Sequence, residues 1–212
     1  MATFIKGILG GFSGKVGTVI GANWRGKNVM RSIPTPSKKK PTDAQLLQQM
    51  RFAKTVEFLQ PVRGIVNRYF SGSMKSLSGY NEATSYTLKN ALELVDNLPV
   101  IVPERALLTK GDLAAVQQLT LTATTTTLQA DWPNNAGQGN AKETDFMNVV
   151  CYCEENKLFL LFEEVAQRDS ESVVLNVPDV FNGKTLDVWY YLNTEQRDKA
   201  STSMYLGKHT VG

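Results

Sequence analysis

Histidine and cysteine are nearly missing from this chain. His209 is the only histidine, and Cys151 and Cys153 are the only cysteines. Two apart on a strand, the cysteines point to the same face, and a disulfide between them would be strained. They read as small buried hydrophobes in a reducing compartment. With so few soft ligands, the sequence points to no metal, no redox chemistry and no cofactor. A nucleophilic serine would need His209 as its base, but that residue belongs to the last strand signal of the chain. The Gly-x-Ser-x-Gly elbow also fails around Ser13, because Lys15 stands where its second glycine is needed. Long apolar runs are absent too: none approaches the eighteen or so residues that cross a bilayer. Glycines break up the opening MATFIKGILGG, which does not read as a signal peptide, so a cytoplasmic location is the expectation and a membrane partner is not. No period of 20–50 residues marks a repeat array.

Acidic residues are missing from one region in particular. Residues 1–80 hold thirteen Lys/Arg against two acids, Asp43 and Glu57, a net of +11. Residues 81–212 hold ten Lys/Arg against eighteen acids, a net of −8. A chain of this polarity binds a polyanion with its basic part, or meets the acidic part of a neighbour.

The basic part begins with GILGGFSGKVGTVIGANWRGKNVMRS, Gly7 to Ser32, which has seven glycines in its first twenty positions. A phosphate loop is excluded by spacing. Leu9 stands where the Walker pattern needs its first glycine, and Val16 replaces the magnesium-binding hydroxyl. Alternation predicts a β-hairpin over 15–32 instead. Val16, Thr18, Ile20, Ala22 and Trp24 fall on one face, Val19, Gly21 and Asn23 on the other, and Arg25-Gly26 forms the turn. Pairing Trp24 with Lys27 sets Ala22 opposite Val29 and Ile20 opposite Arg31. Both faces are partly apolar, and an isolated two-stranded ribbon is marginal in water, so this hairpin calls for a covering surface.

SIPTPSKKKPT, residues 32–42, reads as an extended linker. A helix follows, capped at Thr42 or Asp43 and ending before Pro61. A shorter helix is predicted over VRGIVNRYF, then a flexible joint in 71–79, then a helix over NEATSYTLKNALELV from about Asn81. From Arg105 the pattern changes to strands near 105–109, 115–122, 125–132, 146–153, 157–163, 171–177, 185–193 and 201–207, with PNNAGQGNA as a loop. The fold class is α+β. A Gly-rich hairpin arm and linker (1–42) and a helical region (43–99) precede a β-sandwich of immunoglobulin or fibronectin type III kind (100–212). Trp132, Leu161, Trp189 and Tyr191 are expected to fill its core. The tract TATTTT, Thr122 to Thr127, suits two strands meeting at a turn. The doublets Glu154/Glu155 and Glu163/Glu164 read as charged strand ends, not as an acid–base pair.

Two sets of residues stand out for function. Val16, Val19, Ile20, Gly21, Trp24 and Val29 form a candidate assembly arm. Lys15, Arg25, Lys27, Arg31, Lys38, Lys39, Lys40 and Arg51 form a candidate basic patch. The patch would neutralise phosphates in a salt-dependent, sequence-tolerant way, with Trp24 and Phe52 available for stacking.

The chain resembles an uncharacterised Bacteroidota family of about this length. The likeness rests on Gly-Ile-Leu-Gly-x-Phe-Ser-Gly-Lys-Val-Gly (Gly7 to Gly17), Trp-x-Gly (Trp24 to Gly26) and Arg-Ser-x-Pro (Arg31 to Pro34). It continues through Pro41-Thr42, Gln45, Arg51-Phe52 and Ser203 to Gly207. The resemblance implies no activity. More loosely, the Gly-rich hairpin followed by Pro-Thr, Gln and Arg-Phe is similar to segments of phage and phage-derived structural proteins. The expectation is a non-enzymatic subunit, virion- or filament-like, that self-assembles through its N-terminal arm and has other copies of itself as partners. The alternatives are a nucleic-acid-associated packaging protein and a partner-binding or adhesion module.

Overall fold

The computed structural model describes residues 3–4, 10–24, 26–35, 39–70 and 78–212. The chain divides into two compact units, Met1–Thr42 and Asp43–Gly212. No helix among the described residues is long and apolar enough to cross a membrane.

The first unit is an antiparallel sheet of four strands in sequence order: β1 (Thr3–Phe4), β2 (Phe12–Val16), β3 (Val19–Trp24) and β4 (Lys27–Ser32). The expected register of β3 on β4 holds at Trp24↔Lys27, Ala22↔Val29 and Ile20↔Arg31. The expected extent of the hairpin does not. The chain reverses at Gly17-Thr18, with Gly17 at φ +57, so Val16 belongs to β2 and pairs with Val19. The predicted ribbon is therefore part of a larger meander. At the second reversal Arg25 lies outside the described residues. Gly26 adopts φ +79, and its N–H donates to Asn23 Oδ1 at 3.0 Å.

The second unit opens with α1 (Asp43–Leu59), α2 (Arg63–Tyr69) and α3 (Gly79–Asn90). Asp43 suits the positive end of α1, and Pro61 disfavours helix at the residue before it. Ser78 caps α3, its side chain accepting from Asn81 N–H at 3.3 Å. The predicted joint over 71–79 falls mostly outside the described residues. The helix expected to run through Val95 stops at Asn90. Leu92–Val95 (β5) and Leu98–Ile101 (β6) instead form a hairpin around Asp96-Asn97, both at positive φ as a tight two-residue turn requires.

Seven further strands form two sheets. One has the order β10-β9-β12-β13, from Leu158–Gln167, Phe146–Cys153, Lys184–Asn193 and Met204–Val211. The other has the order β11-β8-β7, from Ser172–Asn176, Thr127–Asp131 and Thr120–Ala123. The strand expected at 105–109 does not form; Pro103–Arg105 is a 3-10 turn, and Lys110 makes a lone bridge with Phe70. Among the described residues, the regular structure is mostly antiparallel strand, with three α-helices.

The two sheets share a core of Leu128, Ala130, Leu175, Met147, Val149, Cys151, Val188 and Tyr190. Trp132 belongs to it as expected, but Trp189, Tyr191 and Leu161 do not. Side chains alternate along β12, so Trp189 and Tyr191 face away from the second sheet. There they meet Phe58, Leu59, Val62, Val66 and Tyr69 of the helical segment in a second core. Leu161 stays exposed. Both faces of β12 are therefore covered, which is why WYYL runs without a polar break. Cys151 and Cys153 are free and buried, and burial pushes the Cys151 thiol up to about 12.

One charged pair ties several loops of the second unit together. Arg168, fully buried, meets Asp145 Oδ2 at 3.0 Å and donates to the carbonyls of Ala114 and Lys142 and to Asn135 Oδ1. Removing one partner of such a pair costs about 3–5 kcal/mol, because the other charge is left buried alone.

Candidate assembly surface

The arm sheet is two-faced, and the strand register shows how. Directly paired residues of antiparallel strands share a face. Lys15, Ile20 and Arg31 form one cross-strand row, with Ala22 beside Val29 and Trp24 beside Lys27 on the same side. The opposite face carries Phe12, Val16, Val19, Gly21 and Met30 and no charge. The candidate arm residues are thus split. Ile20, Trp24 and Val29 lie on the basic face, while Val16, Val19 and Gly21 lie on the uncharged one.

Much of the large apolar surface here meets solvent. Val16 is 48% exposed, Trp24 60%, Val29 39% and Met30 71%. Every residue of β4 is exposed. Gly21 is buried because Phe12 lies against it. A Cβ there would stand 2.4 Å from the Phe12 carbonyl oxygen and 2.5 Å from its ring. Sequence reasoning missed Met30, which sits in the alternating pattern that marked its neighbours, and Phe12, which precedes the stretch read as a hairpin. β4 is an edge strand with no further neighbour among the described residues, so half of its backbone donors and acceptors face outward.

The basic patch is only partly assembled by the fold. Lys15, Lys27 and Arg31 converge on one face of the sheet. Lys39 and Lys40 are exposed ahead of α1. Arg25 and Lys38 lie outside the described residues. Arg51 belongs to the second unit, where its guanidinium donates to the Leu88 carbonyl at 3.1 Å and ties α1 to the end of α3. Phe52 is exposed on α1 in that unit.

In the second unit, a cavity of about 180 Å³ opens between α2 and the four-stranded sheet, lined in part by Arg68, Tyr69, Asn148, Glu163, Glu164 and Arg197. A β-bulge in β10 builds it, with Glu164 at φ +53 and its N–H donating to Asn148 Oδ1 at 2.9 Å. Asn148 Nδ2 donates to Asn193 Oδ1, and Asn193 Nδ2 donates to Glu164 Oε1. Arg197 grips the Glu164 carboxylate through two donors, and that hydrogen bonding holds its pKa below the usual range. These groups satisfy one another, which makes the network a lock on the bulge. Glu163 and Glu164 are thus split between an exposed and a locked environment, while Glu154 and Glu155 form the turn between β9 and β10.

No curated protein matches the chain. Residues 11–207 match a family model described as a family of unknown function (DUF6266), which covers the arm sheet from just before β2 and nearly all of the second unit. The chain therefore belongs to this family of unknown function, DUF6266.

Proposed function

We propose that this protein is a non-enzymatic structural subunit that assembles with copies of itself in the cytoplasm through residues 1–42. One observation carries the reading: the arm forms its own small sheet yet leaves Val16, Trp24, Val29 and Met30 exposed. A sheet this small gains little from internal burial, and covering such side chains stabilises by about 1.5–3 kcal/mol for each one fully buried. The outward edge of β4 adds a strand-pairing surface of the kind used in β-augmentation. The body fits the role of a rigid block. Its division into β7-β8-β11 and β10-β9-β12-β13 supports a fibronectin type III-like sandwich. A virion- or filament-like assembly is the form we favour, in keeping with the looser likeness of the Gly-rich segment to phage-derived structural proteins.

Sedimentation velocity of the full chain against a variant lacking residues 1–42 tests this. The full chain is expected to form oligomers and the truncated chain to run as a folded monomer. Equal oligomers from both would rule the arm out. A second reading, nucleic-acid packaging, is favoured by Lys15, Lys27 and Arg31 sharing a face with Trp24. It predicts a gel shift with generic single-stranded DNA at physiological salt, weakening steeply as salt rises.

A further inference from the structure

The first half of α1 stands clear of the core. Leu46 is 43% exposed and Met50 41%, and the buried positions of the helix begin only at Thr55. The turn of the β5–β6 hairpin rises beside it. Asp43, Ala44, Leu46, Leu47, Met50 and Asn97 line one groove of about 420 Å³. Leu94, Val95 and Leu98 of the same hairpin are exposed as well. A surface helix ordinarily turns its apolar stripe to the core, and contiguous exposed apolar surface marks an interaction site. One acid, Asp43, is part of the groove's lining, and a second, Asp96, is exposed next to Asn97, which also lines it.

We propose that this groove receives the basic face of the arm sheet of a second copy. The two surfaces have the same plan with opposite sign. On the arm, Ala22, Val29 and Trp24 form an apolar centre flanked by Lys27 and Arg31. On the body, Leu46, Leu47 and Met50 form an apolar centre flanked by Asp43 and Asp96. The same complementarity holds for the whole units. Residues 1–42 carry eight Lys/Arg and no acid, and residues 43–212 carry fifteen Lys/Arg against twenty acids. Such a contact is heterologous, so repetition closes a ring or extends a filament. This inference rests on the assembly reading and names the surface that reading leaves open.

The test uses the full chain with charge reversals on each side, folding being checked by circular dichroism. Lys27→Glu with Arg31→Glu, and separately Asp43→Lys with Asp96→Lys, are each expected to weaken association about tenfold; exposed ion pairs are individually modest and add across a rim. Combining all four is expected to recover most of the loss. A photo-crosslinker at Trp24, in a mixture of light and heavy isotope-labelled chains, is expected to join chains at residues 43–50 or 94–98. Unchanged association in the Asp43/Asp96 variant, where deletion of residues 1–42 still abolishes assembly, overturns the groove and leaves the assembly reading standing. Crosslinks only within one chain, or only to co-purified nucleic acid, also overturn it. Assembly that survives the deletion overturns both.

Discussion

Asp187 lies on β12 among the side chains that face the helices, and it is almost fully buried. Tyr205 Oη donates to its Oδ1 at 2.6 Å, and Lys208 is its cross-strand neighbour. Burial outweighs both and raises its pKa above the ordinary carboxylate value, with Glu154 and Glu104 adding to the rise. The native state therefore holds this proton more tightly than the unfolded chain does. Its contribution to stability is complete below the unfolded pKa and is lost as pH rises through the folded one. Asp187→Asn keeps an acceptor for Tyr205 and abolishes the titration. The variant is expected to match the parent near pH 3 and to exceed it in stability at pH 7, measured by urea unfolding across pH. A variant less stable than the parent at pH 7 would show that the charged carboxylate is favourable there.

At the scale of elements, the arm sheet depends on one close approach. Phe12 on β2 lies over Gly21 on β3, and no side chain fits between them. Gly21→Val is expected to break β2 from β3 while leaving the second unit intact. In NMR spectra, amide signals of residues 12–32 should lose their strand dispersion, and the thermal transition of the body should move by less than about 2 °C, since surface changes outside a domain barely alter its stability. Retained dispersion would mean that the Phe12 ring can move aside at little cost. The register of β3 on β4 was legible in the sequence because a two-residue turn between alternating strands leaves one pairing. The turn at Gly17-Thr18 was equally local, but Val16 and Thr18 continue the alternation of β3 and masked it. The hairpin at Asp96-Asn97 was hidden in the same way by the helical pattern running up to Val95.

For the whole molecule, the helices and the four-stranded sheet depend on each other. Val150, Trp189 and Tyr191 on the four-stranded sheet are buried against Phe58, Leu59, Val62 and Val66. Residues 100–212 alone would present those large side chains to water. Residues 43–212 are expected to express as a folded protein with the full chain's near-ultraviolet dichroism, and residues 100–212 to aggregate or bind a hydrophobic dye strongly. A soluble, well-dispersed 100–212 fragment would show that the helical layer is an accessory to the fold.

By itself the sequence determined what depends on near neighbours along the chain. The bounds of α1 follow from an acidic first turn and Pro61, β9 follows from its apolar run over 146–153, and the pairing of Trp24 with Lys27 follows from a tight turn. The division of charge is likewise a property of the sequence alone. Tertiary structure decided which side of each strand meets which layer. WYYL is apolar at every position, so alternation carries no signal there, and only the helices on one side and the second sheet on the other separate Trp189 from Tyr190. The groove beside α1 has the same origin. Leu46 and Met50 look like core residues in sequence, and they are exposed because the chain folds its core around the later turns of that helix.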